Sequence, residues 1–330
     1  MKNPPDSVAH LDFVAGIPTL NLAHFTQGSP AERQQFVDDL GAAYREVGFV
    51  AISGHGIDPA VIDNMYGTAE EFFALPTEVK MKHEHPEHNR QRGFVSFGTE
   101  HAKDSQAKDL KEFWQVGQMA IPEGADMADY PPNATVEECN QLAPQAEDLY
   151  KNLEQVGRQM LKAIALHLGL DELYFEQFVP GGNSILRLIH YPPISSEPNS
   201  SVRAGQHEDI NLITLLVGAS ASGLEVMDKE GEWTGVTALP EHLVVNVGDM
   251  LQRLTNHVLK STTHRVVNPP RDQWHLPRFS MPFFCHPVPS MSLAALPQCV
   301  ESGQQPKDTP ITAGEYLAER LREIGLTQEK

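Results

Sequence analysis

The sequence predicts a mixed α and β protein in which a barrel or jelly roll of short strands sits behind a helical scaffold. The first observation is a change of texture. Up to about residue 170 apolar residues recur at helical spacing, whereas after Pro180 short β-branched runs alternate with Gly, Pro, Asn and Asp turn signals. The second is that polar residues with useful chemistry recur at i, i+2 inside or beside those runs, which places them on one strand face. A layer of helices covering a curved sheet is the natural way to bury both sets of apolar residues.

Ser29 to Phe49 reads as a helix, with Ser29 as cap, Pro30 at the first helical position, and Phe36, Leu40, Ala43 and Val47 facing inward. Pro59 to Phe73 is a second helix, turning Val61, Ile62, Met65, Ala69 and Phe72 to the core. Leu149, Leu153, Val156, Met160, Ile164 and Leu168 mark a long amphipathic helix that Gly169 stops. Strands follow at Ser184 to Tyr191, Asn211 to Val217, Leu243 to Val247 and Arg278 to Phe284. Thr312-Ala313-Gly314-Glu315 has the form of a capping box and opens a last helix through Leu317 and Leu321. An N-terminal α/β region over 15–130 and a β core over 180–290, joined by the long helix, are expected to fold as one unit. Pro86 to Ser105 and Met119 to Ala134 are the least regular stretches, as expected of lids or substrate-selecting loops.

A net charge of −19 argues against binding a phosphate backbone, which needs clustered Lys and Arg. Three cysteines, Cys139, Cys285 and Cys299, make neither a disulfide framework nor a C-x-x-C zinc motif, and fit a reducing cytosol. The start, Met1-Lys2-Asn3-Pro4-Pro5-Asp6, has no apolar signal core, and no apolar run reaches membrane-spanning length. A cytoplasmic monomer acting on a small molecule, with no nucleic-acid or membrane partner, is the expectation.

His207 and Asp209, in Gln206-His207-Glu208-Asp209, lead into the run Ile210 to Leu216, and extended backbone would put both side chains on one face. His264 arrives from another strand, in Thr262-Thr263-His264-Arg265-Val266. Two imidazoles and one carboxylate leave the opposite side of a metal open, which suits non-haem Fe(II) activating O₂. Arg278 and Ser280 share a face of a later strand, and a guanidinium fork with a nearby hydroxyl suits a carboxylate. Iron at one end and Arg278/Ser280 at the other fit a short dicarboxylate such as 2-oxoglutarate. A zinc site would accept the same three ligands, but the Arg/Ser pair would then have no obvious task. Arg265 points to the other strand face and reads as structural. His242 and His257 do not fit the ligand frame, and His83, His85, His88 and His101 read as a solvated loop.

Many motifs in order resemble the isopenicillin N synthase-like branch of the Fe(II)/2-oxoglutarate-dependent oxygenases, from about Ile17 to about Pro287. They include Ile17-Pro18-Thr19-Leu20, Gly48-Phe49-Val50, Gly54-His55-Gly56, Arg92-Gly93-Phe94, Tyr191-Pro192-Pro193, His207-Glu208-Asp209, Asn246-Val247-Gly248-Asp249, Thr263-His264-Arg265 and Arg278-Phe279-Ser280. The resemblance implies a double-stranded β-helix with helices packed on one side, iron on His207, Asp209 and His264, and Tyr191 beside Arg278 and Ser280 in the co-substrate pocket. Ile189 stands where plant members often carry Asn, a departure shared with isopenicillin N synthase itself.

The activity implied is oxidation, foremost hydroxylation, of a small molecule, coupled to decarboxylation of 2-oxoglutarate to succinate and CO₂. A 2-oxoglutarate-independent oxidase of the isopenicillin N synthase type is the nearest rival, because a similar Arg/Ser pair there can bind a substrate carboxylate. A non-catalytic ligand-binding protein on the same barrel is the rival of another class, and it would not need an open iron face.

Overall fold

Ser29 caps the first long helix as its sequence predicts: its hydroxyl accepts from the Glu32 amide, while the Glu32 carboxylate accepts from the Ser29 amide at 2.8 Å. The computed structural model describes residues 7–14, 16–100, 108–125, 127–218, 222–237 and 241–323. In chain order it contains β1 (Phe13–Val14), β2 (Ile17–Asn21), α1 (Leu22–Thr26), α2 (Pro30–Glu46), β3 (Phe49–Ser53), α3 (Pro59–Phe73) and α4 (Thr77–Lys80). Next come β4 (Gly93–Val95), β5 (Glu112–Gly117), α5 (Leu142–His167), β6 (Ile185–Tyr191), β7 (Ala204–His207), β8 (Ile213–Val217), β9 (Leu224–Met227) and β10 (Trp233–Val236). The chain ends with β11 (Leu243–Val247), α6 (Asp249–Leu254), β12 (His264–Val266), β13 (Arg278–Cys285) and α7 (Ala313–Glu323).

The strands form a nine-stranded sheet, ordered β1-β2-β3-β11-β8-β13-β6-β5-β4, and a four-stranded sheet, ordered β10-β9-β12-β7. All pairings are antiparallel except that of β2 with β3. This is the double-stranded β-helix, with α2 and α5 against the large sheet, α2 and α3 each packed on α5, and Phe72 of α3 against Phe94 and Trp114 of the sheet. The expected strands and the helix at Pro59–Phe73 lie where the pattern puts them, within two residues at each end.

The helix read from Ser29 to Phe49 stops earlier, at Glu46. Gly48, at φ +75°, turns the chain in the left-handed region, and Phe49 already pairs in β3. That turn matters to the site, because the Val47 carbonyl accepts a bond of 2.8 Å from the Thr262 hydroxyl and so fixes the approach to β12.

Helix α5 supplies much of the packing. Leu149, Leu153, Met160 and Ile164 are buried in the main core, each contributing about 1.5–3 kcal/mol relative to exposure. Gly169, at φ +70°, ends it as expected. Between the two sheets lies a smaller apolar cluster of Val95, Phe113, Ile189, Tyr191, Ala204 and Val266. It fills the barrel beside the residues that the sequence singles out.

Candidate functional site

Residues paired across antiparallel strands point to the same side, so register determines what faces the barrel interior. Phe49, Asn246, Thr214, Phe284 and Ile185 are successive partners across β3, β11, β8, β13 and β6. In the small sheet, His264 of β12 pairs directly with His207 of β7. The two imidazole centroids lie 4.4 Å apart, and Phe49 meets His264 edge-on at 5.4 Å.

Asp209 completes the group by a route that differs from the strand alternation expected. β7 ends at His207, and Asp209 lies in the connection that carries the chain from the small sheet to β8 of the large one. Its position comes from bonds instead. The Asp209 carbonyl accepts from the Asp249 amide at 2.9 Å. Its Oδ2 accepts from the Thr214 hydroxyl at 2.7 Å and the Asn246 amide at 2.8 Å, and Asn211 in turn donates to Thr214 at 2.8 Å. Oδ1 is thereby turned toward His207 Nε2 at 3.7 Å and His264 Nε2 at 3.6 Å.

Each imidazole is oriented by its own main chain. His207 Nδ1 lies 2.7 Å from the Gly205 carbonyl and His264 Nδ1 lies 3.0 Å from that of Thr262. A carbonyl can only accept, so Nδ1 carries the proton and Nε2 presents its lone pair. Burial pushes His207 down to about 4, reinforced by the neighbouring His264. Burial alone would raise Asp209, but the two imidazoles and the bonds from Thr214 and Asn246 outweigh it and hold its carboxyl below the usual range. The result is two imidazole Nε2 atoms and one bare carboxylate oxygen, all within 4.8 Å of one another, with the other carboxylate oxygen already satisfied. Such a donor set fits Fe(II) with one face left open.

Arg278, Ser280 and Tyr191 also come together. Arg278 and Tyr191 are partners across β13 and β6, the guanidinium carbon lies 4.9 Å from the phenol ring centre, and Nη1 donates to the Ser280 hydroxyl at 3.3 Å. Arg278 is 1% exposed. The two groups are linked through β12, where His264 and Val266 share a face and Val266 belongs to the apolar cluster around Tyr191. Arg203, buried with its guanidinium carbon 5.9 Å from the same ring, is a neighbour that the sequence does not advertise.

The residues set aside in the sequence stay apart. Arg265 pairs with Glu225 at 2.7 Å and covers Trp233, and His257 pairs with Asp308 at 2.7 Å. Among the described residues His207, Asp209 and His264 are the one cluster that could hold a metal. His83, His85 and His88 form no second one, and His101 lies outside the described residues. Leu224 and Val226 are core.

A cavity of about 520 Å³ opens beside His207 and Asp209. One wall is charged and buried. Lys111 meets Glu100 and Asp109 at 2.9 Å, and Arg187 meets Glu100 at 3.1 Å and Gln115 Oε1 at 3.1 Å. Asp109 also accepts from the Gly205 amide at 2.9 Å, which joins this wall to the strand bearing His207. Burial works against charge on Glu100, but Arg187 and Lys111 outweigh it and hold its carboxyl at about 2. Tyr316 of α7, which also lines the cavity, donates to Asp249 at 2.9 Å, yet burial pushes the Asp249 carboxyl up to about 8.

Residues 17–138 match the N-terminal family described as non-haem dioxygenase in morphine synthesis, and residues 182–287 match the 2OG-Fe(II) oxygenase superfamily. The chain is 40% identical to a 2OG-Fe(II) oxygenase family protein of known structure from Caulobacter crescentus, with a TM-score of 0.83, covering 94% of this chain and 100% of that one. It is 31% identical to a Neurospora crassa protein whose full-length structure was solved with alpha-KG, with a TM-score of 0.82 over 93% of this chain and 96% of that one. Among curated proteins it is 34% identical to a proline hydroxylase from Petromyces alliaceus, over 92% of this chain and 97% of that protein. The chain thus belongs to the 2OG-Fe(II) oxygenase superfamily, as a 2-oxoglutarate-dependent dioxygenase working with Fe(II), 2-oxoglutarate and O₂.

Proposed function

We propose that the enzyme hydroxylates a small molecule with release of succinate and CO₂, holding Fe(II) on His207, Asp209 and His264 and the distal carboxylate of 2-oxoglutarate on Arg278, Ser280 and Tyr191. The observation that carries this reading is the division of labour on Asp209, with Oδ2 satisfied by Thr214 and Asn246 and Oδ1 turned to two imidazole Nε2 atoms. When bound, iron with 2-oxoglutarate and O₂ supplies the oxidising power to break a C–H bond. The protein's part is orientation and exclusion. The Gly205 and Thr262 carbonyls keep the imidazoles in the ligating tautomer. Arg278, fixed between Tyr191 and Ser280, offers a planar fork that sets the co-substrate's direction. Val266 and the cluster around Tyr191 keep water from the barrel between these two groups. We further propose that the chain works in the cytoplasm as a monomer; its free cysteines, with Cys139 and Cys285 both buried as thiols, support a reducing compartment.

Relatives with similar identity do not agree on a primary substrate, since one is named a proline hydroxylase and the Neurospora protein was also solved with thymine. The test is therefore directed at the co-substrate. Succinate should form only with Fe(II) and 2-oxoglutarate, and the correct metabolite should stimulate it. Arg278→Ala should weaken 2-oxoglutarate binding by on the order of 2–5 kcal/mol, as for truncating one side of a buried charge pair, while iron still binds. Arg278→Lys should recover part of the loss, because it restores charge without the fork. Equal affinity of wild type and Arg278→Ala for 2-oxoglutarate would overturn the assignment of that residue.

A further inference from the structure

The cavity beside His207 and Asp209 is unevenly satisfied. Among the described residues both cations at the Glu100 end of the cavity are committed to carboxylates, Lys111 at 2.9 Å and Arg187 at 3.1 Å; farther along, Arg253 and Arg320 also pair with carboxylates but each keeps a buried Nε without a partner. The Glu100 carboxylate is only half satisfied. Glu100 is 6% exposed, and its Oε2 takes both Lys111 and Arg187, while its Oε1 is buried without a hydrogen-bond partner. His286, 7% exposed and lining the same cavity, leaves Nδ1 without a partner. Leaving a buried carboxylate oxygen without a donor is unfavourable, and a ligand carrying the missing donor would relieve it.

We propose that Glu100 Oε1 is a recognition point for the primary substrate, and that this substrate is an uncharged polar molecule presenting an N–H donor of amide, lactam or imide type. The inference rests on the proposed oxygenase reading, because it takes this cavity as the substrate's place beside iron. At this end of the cavity a substrate carboxylate would find Lys111 and Arg187 already committed and would face Glu100, a repulsion expected to exclude it. Arg187 provides a flat surface for a ring, its guanidinium carbon being 4.1 Å from the Phe113 ring centre and 5.4 Å from that of Phe284, which lies in the cavity floor. Glu100 also ties this recognition point to the metal end, through Lys111 and Asp109 to the Gly205 amide.

Two matched trios test it on the full chain loaded with Fe(II) and 2-oxoglutarate under argon: 2-pyrrolidinone, its N-methyl form and pyroglutamate, and uracil, 1,3-dimethyluracil and orotate. Binding is read from ligand proton signals, which iron broadens when a ligand lies beside it. The N–H member of each trio should bind at least about tenfold tighter than its N-methylated and carboxylated partners, as for a hydrogen bond to a charged group. In Glu100→Gln that preference should shrink, and the carboxylated members should gain, because Arg187 and Lys111 are then less neutralised. The proposal is overturned if the carboxylated members bind wild type best, if no N–H member is broadened, or if the folded Glu100→Gln protein keeps the wild-type ranking. Should that variant fail to fold, the wild-type ranking decides alone. Iron-dependent succinate release without any primary substrate is measured in parallel, so a wrong substrate class and a wrong oxygenase reading give different results.

Discussion

At one end of the cavity, three donor atoms are placed by main-chain bonds and by register: His207 opposite His264, each imidazole on a carbonyl two residues earlier, and Asp209 on the Asp249 amide. On the neighbouring wall, Glu100, Asp109, Lys111 and Arg187 are placed largely by one another, Arg187 from β6, Lys111 from the residue just before β5, and Glu100 and Asp109 from the segment ahead of it. The first arrangement is tied to both sheets, and only the turn of the Asp209 carboxylate depends on side chains, those of Thr214 and Asn246. The second can be altered one side chain at a time, and charge substitutions there change what the cavity accepts. A family that keeps one chemistry across unlike substrates needs this separation.

Cutting the chain would separate the two most drastically. A fragment starting at Gly182 keeps every proposed iron ligand but loses β5, which pairs with β6, and β3, which pairs with β11. We expect it to be insoluble or to lack a cooperative unfolding transition, since two sheet edges and the face under α5 would be bare. A monomeric fragment with a sharp transition would show that the β core stands alone.

Within the intact chain, Asp209→Ala should have the next largest effect, with no measurable turnover and a severe loss of Fe(II) binding in anaerobic titration. Asn246→Ala tests the support of that carboxylate. It frees part of Oδ2 and should weaken iron binding by roughly 10–100-fold while the fold persists. An unchanged affinity would mean that Thr214 alone suffices.

The wall should respond least, and in a pH-dependent way. The Glu100 carboxyl is held at about 2, against an ordinary value of 4.5, so its stabilisation is fully present above about 4.5 and fades as pH falls toward 2. Glu100→Gln should cost about 2 kcal/mol at neutral pH, as for losing hydrogen bonds to a charged group. In urea unfolding the gap between the two proteins should close as the solution is acidified. A gap that stayed constant would mean that Glu100 is uncharged in the folded protein.

The same contrast explains what could be read in the sequence. His207, Asp209, His264, Arg278 and Ser280 stand out because short spacings and strand patterns hold them. Strand alternation does not account for Asp209, because β7 ends at His207 and Asp209 lies in the connection to the other sheet. Periodicity also carried α2 past Glu46, because Val47 and Phe49 continue an apolar pattern that only the Gly48 turn interrupts. Thr214 and Asn246 left a signal that was not used, as polar residues within otherwise apolar strands. The Glu100 network left only a partial signal: Asp109 and Lys111 sit in the motif Asp109-Leu110-Lys111-Glu112-Phe113-Trp114, but only the fold joins them to Glu100 and to the distant Arg187. The rival 2-oxoglutarate-independent reading was open from residues alone, and similarity to 2-oxoglutarate-dependent enzymes along nearly the whole chain closes it.

The tautomer of each candidate iron ligand is set by an atom that every amino acid possesses. Substitutions beside the histidines that keep the backbone path, with Thr262 retained for its bond to the Val47 carbonyl, leave in place the carbonyls that hold the imidazole protons. This makes the ligating state of both histidines insensitive to most substitutions beside them, and presents a small mutational target. Laboratory evolution toward new substrates could therefore randomise neighbouring positions heavily, provided the pairing of β7 with β12 is spared, without first having to repair the metal centre.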